Sequence, residues 1–182
     1  MLEPLVLLPG MMCDGRLFDA QIAAFSHERA VMVAPLTGAD TMSALASAVL
    51  ANAPSRFALA GLSMGGIVAM EMWRQAPHRI ERIALLDTNF HADTDEKRTM
   101  RNRQMDEVRQ GALGAILRDE LNPNYLARCH RENTALLDDV LYMGMGLGDG
   151  AIDGLFERLM FLALEEVNGE QYFTTMSYTV EQ

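Results

Sequence analysis

Gly61-Leu62-Ser63-Met64-Gly65 holds a serine midway between two glycines, at the join of an apolar run, Phe57 to Leu62, and a helical pattern that begins at Met64. This is the sequence form of a nucleophile elbow, in which a serine sits on a tight, strained strand-to-helix turn with its hydroxyl held out toward a substrate. Gly61 and Gly65 are mechanical in such a turn, because side chains two positions either way would collide with neighbouring backbone. Ser63 is then placed to attack a carbonyl carbon, and the oxyanion so formed needs preorganised donors. The Met64 amide, at a helix N-terminus, is one. The Met11 amide is the other: it follows Pro9, which has no N–H, and Gly10, which lets the chain bend sharply.

A neutral serine hydroxyl is a poor nucleophile unless a histidine takes its proton and a carboxylate orients that histidine. The chain has four histidines. His27 and His78 each fall between a helical pattern and the start of the next strand, on the edge opposite Ser63, and read as surface residues. His130, beside Arg128 and Arg131, reads the same way. His91 follows the run Ile80 to Leu86 on the correct edge and is the candidate base, although so short a separation from Asp87 strains the reach between them. Asp87 is the candidate acid; Asp87-Thr88-Asn89 at a strand end is equally good turn chemistry.

The elements that must position these residues follow from hydrophobic period. Leu5 to Leu8, Val31 to Ala34, Phe57 to Leu62 and Ile80 to Leu86 read as strands. Helical patterns cover about Gly15 to Phe25, Thr41 to Asn52, with Asp40 or Thr41 as N-cap, and Met64 to about Gln75, ended by Pro77. This alternation predicts an α/β fold with a mostly parallel, doubly wound sheet and its site at the C-terminal strand ends. Gly10 to Cys13, Ser63 and Asp87 to His91 all fall on that edge. From Asp93 the pattern is helical throughout: about 93–110, Ala115 to Leu121 stopped at Asn122-Pro123, and Asn133 to Met143. A flexible run through Gly144, Gly146, Gly148 and Gly150 comes next. The expected organisation is a single domain over 1–182, with core sheet and helices in 1–92, a helical cap insertion over the strand ends in 93–143, and a divergent segment in 144–182.

Composition bounds the partners. A formal charge of −10, with few and dispersed basic residues, argues against a nucleic-acid surface. The group Lys97, Arg98, Arg101 and Arg103 reads as a solvated helix face. No signal peptide or membrane span is expected. Cys13 and Cys129 have neither metal-ligand spacing nor a disulfide framework, so no metal is expected and a cytoplasmic location is. Core filling is the simpler account of the 14 methionines, while those near Ser63 could also line an adaptable acyl pocket.

The chain resembles the α/β-hydrolase superfamily, particularly its small bacterial esterase-like members, over about Leu5 to Gly148. The likeness rests on Leu-Leu-Pro-Gly-Met-Met-Cys-Asp-Gly-Arg-Leu-Phe at 7–18, Gly-Leu-Ser-Met-Gly-Gly at 61–66 and Leu-Leu-Asp-Thr-Asn at 85–89. It implies Ser63 as nucleophile, the Met11 and Met64 amides as oxyanion hole, no cofactor, and a small ester, thioester or amide as substrate. The family pattern continues with two more strands that carry an Asp and a Gly-His pair. Residues 149–182 instead offer a helix pattern from Ile152 to Val167 and a strand-like run from Gln171 to Val180, with no histidine. The expectation is thus a C-terminally incomplete fold and triad, with the fourth strand's edge uncovered and open to self-association. Three functions compete: a serine hydrolase acting through Ser63, a catalytically dead truncated hydrolase or small-molecule-binding protein that keeps the pocket, and a site completed by a second chain.

Overall fold

The computed structural model describes residues 2–39, 41–91 and 94–147. The helix and strand expected within 149–182, and the capping alternative Asp40, lie outside them. A four-stranded sheet runs in the order β2-β1-β3-β4, all pairs parallel, from β1 (Leu5–Leu8), β2 (Val31–Val33), β3 (Phe57–Leu62) and β4 (Ile80–Leu86). A 3-10 turn, Gly15–Phe18, leads into α1 (Asp19–Phe25); α2 (Met42–Asn52) and α3 (Met64–Gln75) follow. Thr41 caps α2, its hydroxyl accepting from the Ala44 amide at 3.1 Å.

Strand alternation divides the core. Val6, Leu8, Phe57 and Leu59 join Leu45, Val49, Val68 and Met72 of α2 and α3 in the main buried cluster. Leu7 and Ala60 face the other way, with Phe18, Leu17 and Ile22 over β1 and β2. That second layer stops short of β4. Arg82, Ala84 and Leu86, in register with Ala58, Ala60 and Leu62, are exposed among the described residues. The buried methionines Met12, Met42, Met64, Met72, Met105 and Met143 belong to the core, as expected of flexible gap-fillers.

At the edge away from Ser63, the Arg79 guanidinium donates to the carbonyls of Leu50, Ala53 and Pro54 at 2.9, 2.8 and 2.7 Å. A cation there satisfies the carbonyls that a helix end leaves free. His27 and His78 are exposed on this side, as expected.

The helical segment comprises α4 (Asp95–Arg109), α5 (Leu113–Ala115), a π-helical stretch (Ile116–Leu121), α6 (Asn122–Tyr125) and α7 (Thr134–Gly146). Thr94 caps α4 and Asn133 caps α7 through their side chains. Met105, Leu113 and Leu117 belong to the same buried cluster as Met12 and Met64, which seats this helical segment on the core. Arg103 braces it from within, donating to Glu107 at 2.8 Å and to Glu120 at 2.5 Å. Two sequence expectations need correction. Helix does not stop at Asn122-Pro123: the π stretch widens the turn, with the Asn122 amide donating to Leu117 O, and Pro123 enters in the first turn of α6, where a missing N–H costs little. Nor do Gly144 and Gly146 belong to a flexible run. Both lie in α7, and a Cβ on Gly144 would stand 2.8 Å from Leu117 Cδ1, so glycine there lets two cap helices approach. Among the described residues no helix is long and apolar enough to cross a membrane.

Candidate active site

The strand order fixes where a site can form. α1 lies on one face of the sheet and α2 and α3 on the other, so the connections diverge between β1 and β3, the place where open α/β sheets bind ligands beyond the strand ends. The turn after β1 and the turn after β3 both lie at that point.

Ser63 occupies the β3–α3 turn with φ 51° and ψ −115°, a conformation that L-residues rarely adopt. The two flanking glycines are both required by close backbone approach. A Cβ on Gly61 would run into the carbonyl of Gly65, and a Cβ on Gly65 into the carbonyls of Leu8 and Pro9 at the end of β1. Met64 opens α3, where helix geometry leaves its amide without an intrahelical acceptor. Ser63 is exposed and Met64 is buried.

Gly10 stands opposite the serine: a Cβ on it would lie 3.6 Å from Ser63 Cβ. Beyond it, Met12 has φ 59°, and the Cys13 amide donates back to Gly10 O at 3.2 Å, which folds the chain into a tight turn around Met11. The cap reaches this turn at two points. Tyr125 Oη donates to Met11 O at 3.4 Å, and Arg16 Nη2 donates to Tyr142 O of α7 at 3.4 Å. Arg16 also pairs with Asp14 at 2.6 Å, and this hydrogen bond holds the Asp14 carboxyl below its usual range. Burial, reinforced by the Asp14 charge, pushes the Cys13 thiol up to about 11. Tyr125 as a whole is exposed, but desolvation at its hydroxyl end raises the phenol above its ordinary value, with Cys13 adding to the shift and Arg101 opposing it.

A cavity of about 120 Å³ lies beside the elbow, with Gly10, Met12, Cys13, Leu36, Met64 and Leu147 in its wall. Ser63 is outside that lining. Two of its wall residues are methionines, so the core reading and the pocket reading of this residue type meet at Met12 and Met64.

The third segment comes from the end of β4. Asp87 is exposed with φ 42° and bends the chain after β4, and the Asn89 side chain accepts from the His91 amide at 2.9 Å, a side-chain turn over Asn89–His91. The His91 ring is exposed and packs on Phe90 with centroids 4.3 Å apart. His130 lies in a 3-10 turn, Arg128–His130, and is exposed. Sequence reasoning passed over Thr88, whose hydroxyl donates to Ser63 O at 2.7 Å. The signal for it was the second glycine of the pair: a Cβ on Gly66 would meet Thr88 Cγ2 at 2.5 Å.

No protein-family model matches the chain, and no curated protein does. Solved structures do. A hydrolase from Pseudomonas aeruginosa superposes with TM-score 0.73 at 22% identity, over 87% of this chain and 64% of its own. A thermophilic esterase from Thermogutta terrifontis gives 0.68 at 26%, over 89% and 62%. The enol-lactonase from Burkholderia xenovorans gives 0.76 at 21%, over 90% and 67%. The chain therefore spans between 62% and 67% of the length of these proteins. With its four-stranded parallel sheet and flanking helices, the chain has the α/β-hydrolase fold.

Proposed function

We propose that the chain is a serine hydrolase that takes the acyl group of a small ester, thioester or amide onto Ser63 and passes it to water. The observation that carries this reading is the backbone at Ser63. A non-glycine residue held at φ 51° and ψ −115° on an exposed turn is strain of the kind that active sites keep. The fold neighbours, among them an esterase and an enol-lactonase, support a hydrolytic reaction class.

In the proposed reaction, Ser63 Oγ bonds to the substrate carbonyl carbon while its proton passes to a base. The carbonyl π pair moves to oxygen, where the Met11 and Met64 amides and the positive end of α3 receive it. Collapse expels the alcohol, thiol or amine, which takes up the proton, and water repeats the sequence on the acyl-serine. His91 is the proposed base and Asp87 the proposed acid. A second reading, a pocket-holding protein without turnover, is favoured by one observation. Among the described residues the His91 ring packs on Phe90 and makes no hydrogen bond or ion pair with a carboxylate.

A fluorophosphonate probe separates the two. Stoichiometric labelling that disappears in Ser63→Ala supports the hydrolase, and a folded chain that does not label refutes it. His91→Gln should slow labelling by about 10²-fold or more if His91 is the base. Unchanged labelling would remove His91 from that role.

A further inference from the structure

Both backbone groups of Ser63 are tied to the end of β4. Its N–H donates to Leu86 O at 2.9 Å, and its carbonyl accepts from Thr88 Oγ1 at 2.7 Å. The same carbonyl accepts from the Gly66 and Ile67 amides, at 2.9 and 3.3 Å, in the first turn of α3. Thr88 thus grips the peptide that joins Ser63 to the Met64 amide. Its methyl group occupies the space over Gly66 that a side chain there would need. The positive φ of Asp87 makes this possible, turning the chain after β4 back toward the elbow. Strain at Ser63 persists only if its surroundings over-determine it, and Thr88 supplies a fixed point from outside the strand-turn-helix unit itself.

We propose that Thr88 is a positioning residue for the nucleophile: its hydroxyl sets the orientation of the Ser63–Met64 peptide, and with it both the serine hydroxyl and the Met64 oxyanion donor. The inference rests on the serine-hydrolase reading for its catalytic consequence, though not for its structural one.

Two substitutions split the side chain into its parts. Thr88→Val keeps shape and methyl and loses the hydroxyl; Thr88→Ser keeps the hydroxyl and loses the methyl. With the hydroxyl as the working part, Thr88→Val should label with fluorophosphonate about tenfold more slowly than the parent chain, while Thr88→Ser stays within about twofold. The reverse order would mean that Thr88 only fills space over Gly66, and parent-like rates in both would mean that it does nothing for the nucleophile. Either result overturns the proposal. Hydrogen exchange at the Ser63 amide, read by NMR on the same chains, gives a second answer that needs no activity. Exchange about tenfold faster in Thr88→Val and parent-like in Thr88→Ser is expected. Parent-like exchange in both overturns the proposal, even in a chain whose failure to label has already removed the hydrolase reading.

Discussion

Strain at Ser63 has a measurable thermodynamic sign. A non-glycine residue in so sparsely populated a region costs of order 1–3 kcal/mol, and glycine there costs nothing sterically. Against that gain stands the greater freedom glycine has in the unfolded chain, about 0.5–1 kcal/mol. Ser63 is exposed, so neither Ser63→Gly nor Ser63→Ala removes buried surface, and both delete the hydroxyl equally. Their difference isolates the backbone. Ser63→Gly should be more stable than Ser63→Ala by about 1 kcal/mol, worth about 2–4 °C in melting temperature for a chain of this size. Urea unfolding followed by circular dichroism, with equal m-values in the two variants, measures it. If Ser63→Gly is equal to or less stable than Ser63→Ala, the turn at Ser63 is not strained, and its backbone gives no support to a nucleophilic role.

Cysteine reactivity should divide sharply. With the Cys13 thiol pushed up to about 11, its thiolate fraction at pH 8 is about one part in a thousand. Iodoacetamide should therefore modify the exposed Cys129 first, and the Cys13 rate should keep climbing beyond pH 10. Equal rates at pH 8, read by peptide mass spectrometry, would refute a Cys13 thiol held protonated by its surroundings. The second concerns the sheet edge. β4 is a terminal strand among the described residues and exposes Ala84 and Leu86, with Leu86 at 44%. We expect concentration-dependent self-association that Ala84→Lys weakens; light scattering that finds a monomer at every concentration would rule this out.

The strands and the elbow were legible because their causes are local. Leu5 to Leu8 is an uninterrupted apolar run, the Gly61–Gly65 spacing is set by one turn, and Thr41 caps the helix that follows it. What escaped depends on residues far apart in the chain. Gly144 reads as the start of a flexible run because glycine weakens an isolated helix, yet its reason is Leu117 on a neighbouring helix. Pro123 looked like a stop because proline usually is one, and the preceding π stretch makes it tolerable. Thr88 looked like ordinary turn chemistry: nothing in the residues around it tells that its hydroxyl meets Ser63 O. The candidate site was legible in the same proportion. The strained turn at Ser63 and its two glycines could be read directly, and the residue that grips them could not.

Strand order 2-1-3-4 makes the sheet two consecutive β-α-β units joined side by side, β1-α1-β2 and β3-α3-β4, with β1 against β3 as the seam. Met11 belongs to the first unit and Ser63 to the second. The proposed attacking atom and the proposed oxyanion donor are therefore related by a docking geometry rather than by any local turn. A small slide along the seam would change their separation while leaving the hydrogen bonds inside each unit intact. The packing of Gly65 on the Leu8 and Pro9 carbonyls lies across that seam, which makes this glycine a gauge of alignment between the halves as much as a feature of its own turn.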